Sequence, residues 1–282
     1  EWASRELRIL CQDSCYVFSI AQREGRIYYG AWAIEDGPAI ASIRIKSVSL
    51  QGGDVRVDAA PQWELGAVRQ REGITLFQRT FQAASVMSRW DGGLRCEDIP
   101  TPGVNPTCPI PVGEDVIFTG WRCNRLPEIY RWRDGQVTQL SHQNDSLYDT
   151  YTFSTPEPLC AVDGSDRVYG WVMKPVGYTP GKKYPGILNT HGGPHGFYND
   201  AFVMEHQRWA NEGYFVFFCN PRGSTSYGLD FMNVTGRLGE EDFHNVMAFT
   251  DTVLAAHPDI DPERLAITGQ SYGGLNGKGY KR

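Results

Sequence analysis

The ten residues Leu265-Ala-Ile-Thr-Gly-Gln-Ser-Tyr-Gly-Gly274 constrain this chain more than any other stretch. Leu265, Ala266 and Ile267 form an apolar run without polar alternation, the pattern of a strand buried on both faces of a parallel sheet. Gly269-Gln270-Ser271-Tyr272-Gly273 then fits G-x-S-x-G, a sharp strand-to-helix turn that presents an exposed serine. The glycine spacing has a steric cause. A Cβ two residues before or after Ser271 collides with neighbouring backbone in so tight a turn. The turn lifts the Ser271 Oγ out of the sheet and leaves the Tyr272 N–H behind it as an oxyanion donor. A plain Gly-Ser loop fits the same three positions, but a second motif upstream favours the turn. His191-Gly192-Gly193-Pro194 directly follows the apolar stretch Gly186–Thr190 and matches the HGG-type loop whose backbone N–H, here that of Gly193, reaches the same oxyanion.

The rest of the composition narrows the setting. A length of 282 residues allows one large domain or two modest ones. With 41% hydrophobic and 21% charged residues, the chain reads as soluble and globular. A net charge of -6 argues against nucleic acid or an anionic membrane surface as partner. No apolar run approaches the ~20 residues of a membrane span. The seven cysteines (Cys11, Cys15, Cys96, Cys108, Cys123, Cys160, Cys219) have no disulfide-framework spacing and no accompanying histidine cluster. They read as free thiols of a reducing, cytoplasmic setting, and neither a metal nor a cofactor is expected. Asn144-Asp-Ser146 and Asn233-Val-Thr235 fit the glycosylation pattern, which carries weight only behind a secretory signal. Glu1–Glu6 shows neither an initiator Met nor such a signal, so the expectation is that the chain begins inside a longer protein.

The first half repeats. The β-type runs Ile27–Tyr29, Ile74–Phe77 and Val116–Phe118 start 47 and 42 residues apart, at 27, 74 and 116. The turns Gln51-Gly-Gly53, Asp91-Gly-Gly93 and Arg133-Asp-Gly135 end 40 and 42 residues apart, at 53, 93 and 135. A period of about 40–50 with several strands per unit predicts propeller blades, with a β-sandwich as the alternative. The last unit is the clearest: strands over 115–119, 128–132 and 136–140, the latter two joined over Asp134-Gly135.

A polar, turn-rich seam covers 141–158, and the pattern then changes. A hairpin over 159–173 precedes strand 186–190, a helix within 201–211, strand 214–219 and a helix over 240–256 closed by His257-Pro258. That last helix is expected to bury Phe243, Val246, Met247, Thr250, Val253 and Leu254 along one stripe. Strand, helix, strand, helix, strand is half of a doubly wound α/β sheet. The expected division is 1–150 for propeller blades and 151–282 for the α/β part.

Four motifs in order, His191-Gly-Gly-Pro-His-Gly196, Asn220-Pro-Arg-Gly-Ser-Thr-Ser-Tyr-Gly228, Asp261-Pro-Glu-Arg264 and Gly269-Gln-Ser-Tyr-Gly-Gly274, resemble the prolyl oligopeptidase family. The likeness is to its acylaminoacyl-peptidase and dipeptidyl-peptidase-like branch. The resemblance implies an N-terminal β-propeller that screens substrates by size, followed by an α/β-hydrolase domain. It also implies Ser271 as nucleophile, with the Gly193 and Tyr272 N–H groups as the oxyanion hole. A hydrolase of this kind has its triad in the order Ser, then Asp or Glu, then His. The 11 residues after Ser271 contain no acidic residue and no histidine. The resemblance lapses from Leu275, and the expectation is an internal piece, truncated after the nucleophile turn.

Among the six histidines, His191 and His195 are expected to shape the oxyanion loop by hydrogen bonding. His206 and His244 fall on helix patterns, His257 at a helix end and His142 at the seam. Arg222 either anchors substrate or the loop, or pairs with Glu240, Glu241 or Asp242. The resemblance implies a serine peptidase acting on short peptides, dipeptidyl or N-acylated, through an acyl-enzyme. A carboxylic ester hydrolase and a non-catalytic fragment or pseudoenzyme are the alternatives.

Overall fold

A computed structural model describes residues 7–12, 15–33, 42–59, 64–71, 74–90 and 96–274. They fall into two compact units. One holds the described residues up to Phe81 together with Ser85–Gly120 and Ile129–Leu140. The other holds Gln82–Ala84, Trp121–Glu128 and the described residues from Ser141 onward.

The first unit is built of three four-stranded sheets. They comprise β1 (Cys15–Arg23), β2 (Arg26–Ala33), β3 (Ser42–Ser49) and β4 (Arg56–Ala59); β5 (Glu64–Arg71), β6 (Ile74–Phe81), β7 (Ala84–Trp90) and β8 (Cys96–Ile99); and β9 (Asn105–Val112), β10 (Asp115–Trp121), β11 (Glu128–Arg133) and β12 (Gln136–Gln139). In each sheet spatial neighbours are also sequence neighbours, the topology of a propeller blade. The apolar runs at 27, 74 and 116 all lie in the second strand of a blade. The turns at 51–53 and 133–135 both join third strand to fourth, while Asp91–Gly93 lies outside the described residues. The β11–β12 turn shows why its sequence works. Asp134 and Gly135 have φ of 47° and 79°, and Arg133 pairs with Gln136 across them. A two-residue turn with both φ positive matches the strand twist, and Asp-Gly is the dipeptide that tolerates it. Leu76, Met87, Ile99, Val104, Val116, Phe118 and Tyr130 form a buried cluster in which the Phe118 and Tyr130 rings stack 5.6 Å apart.

The second unit is organised by one five-stranded sheet in the order β13-β14-β16-β15-β17. Its strands are β13 (Glu157–Asp163), β14 (Asp166–Met173), β15 (Tyr184–Thr190), β16 (Phe215–Asn220) and β17 (Ile260–Gly269). A short helix, α1 (Asp145–Thr150), precedes it. The strands β15, β16 and β17 run parallel, and the hairpin β13–β14 joins antiparallel to β16. Between β15 and β16 lies α2 (Met204–Asn211), shorter than the helix allowed for over 201–211. Between β16 and β17 lie α3 (Leu229–Met232) and α4 (Glu241–Ala256).

Every residue of β16 is buried, and its alternate side chains serve two cores. Phe215, Phe217 and Cys219 pack with Val246, Phe249 and Val253 of α4. Val216 and Phe218 pack with Ala210 and Trp209 of α2. Helices on both faces make a central strand apolar throughout, and this is the doubly wound arrangement.

Two expectations change. The strand before Ser271 is not buried on both faces: Leu265 and Ile267 are half-buried and Ala266 is exposed. Among the described residues β17 is the edge of its sheet, so only one side of it has a paired neighbour. On α4, Val246, Thr250 and Val253 are buried as expected, but Phe243, Met247 and Leu254 are only half-buried. Asp242, Asn245 and Phe249 take the inward places instead. The stripe is rotated because polar partners lie beneath the start of the helix.

Candidate active site

The site forms where β15 and β17 end side by side. Their parallel register carries Thr190 opposite Gly269, so the loop after each strand emerges at the same edge. Ser271 follows at φ 57°, in the left-handed region that a side chain enters only under constraint, and it is exposed. The constraint is visible at both flanking glycines. A Cβ on Gly269 would strike Thr190 Oγ1 and come 2.7 Å from the Gly273 carbonyl carbon. A Cβ on Gly273 would strike the Thr190 carbonyl oxygen and come 2.8 Å from that of His191. The Thr190 hydroxyl lies 2.9 Å from the Gly273 carbonyl oxygen and 3.2 Å from that of Thr268, tying the turn to the neighbouring strand.

The loop 191–194 packs directly on this turn. A Cβ on Gly192 would lie 2.9 Å from the Gln270 carbonyl oxygen and 3.3 Å from the Ser271 Cβ. Gly193 has φ 133°, a conformation suited to glycine alone, and the Gly193–Pro194 peptide is cis. His191, Pro194 and Thr190 from one loop and Tyr272 from the other line a small cavity of about 10 Å³, together with Arg222, Asp242 and Val246.

Both histidines of this loop are engaged within it or by the loop 220–228. His191 Nδ1 donates to the Gly192 carbonyl at 2.9 Å, and its Nε2 lies 2.9 Å from Ser224 Oγ. Burial holds His191 below the usual imidazole value, partly opposed by the Gly192 bond. His195 Nδ1 donates to the Gly223 carbonyl at 2.9 Å. These bonds give both residues the loop-shaping role read from the sequence. With both ring nitrogens of His191 occupied, it is not placed to take the Ser271 proton. His206 lies buried against Phe218 and pairs with Asn189, His244 is exposed on α4, His257 caps that helix and His142 pairs with Asp145.

The loop 220–228 is itself fixed from several sides. Asn220 accepts the Tyr198 N–H at 2.6 Å and donates to the Tyr198 carbonyl and the Tyr227 hydroxyl, each at 2.9 Å. Arg222 makes an ion pair, with Asp166 in the β13–β14 turn as its main partner: Nε donates to Oδ2 at 2.8 Å and Nη2 to Oδ1. Glu241 lies farther off, at 3.5 Å. Of the three acids expected, Glu241 makes the ion-pair contact, and it is secondary, because the hairpin turn brings Asp166 to the guanidinium in two-oxygen geometry. Asn245 accepts the Arg222 N–H at 2.8 Å and donates to Asp163 at 2.9 Å.

Thr190, Ser224 and Asn245 had no role expected from the sequence, and Asp242, expected as a possible partner of Arg222, meets Tyr272. Asp242 had a signal: 242, 246, 249 and 253 follow helical spacing, which turns the carboxylate inward with the core.

Residues 200–277 match the prolyl oligopeptidase family. Over 155 residues, 54% of this chain, the sequence is 42% identical to YuxL of Bacillus subtilis (strain 168), a peptidase itself uncharacterised. Over 114 residues, 38% of the chain, it is 32% identical to dipeptidyl-peptidase 5 of Schizosaccharomyces pombe. These matches span 24% and 16% of the respective relatives, so the chain covers about a quarter or less of their length. The Pyrococcus horikoshii acylaminoacyl peptidase superposes on 94% of the chain at 27% identity and a TM-score of 0.80, with 42% of that enzyme covered. The fold is that of these enzymes, β-propeller blades and an α/β-hydrolase sheet. Among the described residues no helix is long and apolar enough to cross a membrane.

Proposed function

We propose that this chain, which carries prolyl oligopeptidase sequence over residues 200–277, supplies the nucleophile and oxyanion hole of a serine peptidase acting on short peptides. The observation that carries the reading is Ser271 at φ 57° on a glycine-flanked turn, with Gly192 of the neighbouring loop packed against it. In this reading the Ser271 Oγ attacks the scissile carbonyl carbon and its proton passes to a general base. The carbonyl oxygen becomes an oxyanion held by the backbone N–H groups of Gly193 and Tyr272. Collapse of the tetrahedral intermediate expels the amine, which takes the proton from the base, and leaves an acyl-enzyme that water then hydrolyses. The oxyanion donors do the electrostatic work, each worth roughly 10²–10³ in rate in comparable enzymes.

The positive φ at Ser271 and the parallel pairing that sets Thr190 opposite Gly269 support this reading. Dipeptidyl and N-acylaminoacyl peptides are the substrate classes favoured by the relatives' names. The test is labelling of the complete protein with a fluorophosphonate, followed by peptide mapping. Label on Ser271, abolished with peptidase turnover in Ser271→Ala, is expected. Peptidase turnover that survives Ser271→Ala refutes the assignment.

A further inference from the structure

The turn that carries Ser271 is tied down on two sides. Thr190 holds it from the neighbouring strand. The second tie comes from a different layer: the Tyr272 phenol donates to Asp242 Oδ2 at 2.6 Å, in the first turn of α4. Asp242 is 1% exposed. Its other oxygen, Oδ1, accepts the Gly239 N–H at 2.8 Å. The carboxylate is therefore fixed from both ends before it meets the phenol. Its place is favourable, because the first turn of a helix has free N–H groups and a positive dipole end.

We propose that Asp242 is a positioning residue: by holding the Tyr272 phenol it sets the direction of the Tyr272 backbone N–H, the oxyanion donor next to the nucleophile. The proposal rests on the serine-peptidase reading above. The physical link is short. The peptide between Ser271 and Tyr272 can swing about the line joining their Cα atoms, and a swing turns its N–H away from the oxyanion. The left-handed φ of Ser271 makes that peptide the strained link of the turn. A ring anchored at its far end by a buried carboxylate fixes the Tyr272 Cα–Cβ direction, and with it the peptide plane. Burial and the Asp242 bond both hold the Tyr272 phenol above its usual value, so it stays a donor across the working pH range.

The test uses the complete protein, with Tyr272→Phe, Asp242→Asn and the double variant. Tyr272→Phe removes one oxygen atom and leaves the ring. The expected result is a kcat lower by roughly tenfold in each single variant, less than outright loss of a donor costs. KM should stay within about twofold, because the donor acts on the transition state. The double variant should fall no further than the worse single one, since both remove the same bond. Fluorophosphonate labelling of Ser271 should slow in parallel. Val172→Ala, which weakens the core on β14 at a residue outside the site, serves as the stability control and should leave kcat unchanged. An unchanged kcat in Tyr272→Phe overturns the proposal, as do losses that multiply in the double variant. If Asp242→Asn does not fold, Tyr272→Phe alone decides by the same readouts. Turnover retained in Ser271→Ala overturns the serine reading itself, a result separable from any seen at Tyr272.

Discussion

The Thr190 hydroxyl lies 2.9 Å from the carbonyl oxygen of Gly273, so the strand that leads into the loop 191–194 also holds the turn that carries Ser271. One side chain thereby sets the spacing between the two halves of the proposed oxyanion hole. Thr190→Val keeps the shape and removes the bond. It is expected to lower kcat several-fold and to cost about 1 kcal/mol of stability, the usual net worth of one hydrogen bond. Steady-state kinetics and urea unfolding measure the two effects, and unchanged values in both would show that Thr190 does not hold the turn.

The glycines around Ser271 should differ in tolerance. Gly273→Ala forces a Cβ against backbone carbonyls of Thr190 and His191, neither of which is a movable side-chain end. It is expected to cost about 1–3 kcal/mol and to abolish labelling of Ser271. Gly192→Ala meets the Gln270 carbonyl oxygen at 2.9 Å and the Ser271 Cβ at 3.3 Å, a milder conflict. Its labelling should be slowed and still measurable. The reverse order of damage would contradict this packing.

His206 gives stability a pH dependence. It stacks on Phe218 at 4.4 Å, its Nε2 accepts from Asn189 Nδ2 at 2.8 Å, and burial pushes its pKa down from 6.5 to about 4. The unfolded chain takes up a proton below pH 6.5, while the folded one resists until about pH 4. The stabilising effect of the neutral ring is thus fully present above 6.5 and is lost as pH falls through that window. The slope contributed is at most about 1.4 kcal/mol per pH unit. Urea unfolding between pH 7 and 4.5 should show it, and His206→Gln should flatten that part of the profile.

The pair of Arg222 and Asp166 is mostly withdrawn from water, with side-chain exposures of 20% and 13%. Arg222→Lys cannot reproduce the two-oxygen geometry and should destabilise nearly as much as Arg222→Ala, about 1–3 kcal/mol. Full stability in the lysine variant, by thermal or urea unfolding, would show that only the charge matters there.

Much of this molecule is written in local sequence. Asp134-Gly135 specifies its own turn, the recurring strands and turns announce the blades, and the uninterrupted apolar run of β16 announces a strand covered on both faces. The glycines at 269 and 273 mark the turn around Ser271 by their spacing alone, although the atom that a Cβ at either would strike first belongs to Thr190, far away in the chain. What sequence could not decide was the set of partners that hold that turn. Thr190 meets Gly273 across 83 positions, Arg222 meets Asp166 across 56 and Tyr272 meets Asp242 across 30. A buried polar side chain satisfies its hydrogen bonds with whatever the fold brings near, and nothing in its own neighbourhood names that partner. The exposure of β17 among the described residues follows the same rule. An apolar run states what a strand can bury, whereas the neighbours beside it in the sheet decide what it does bury.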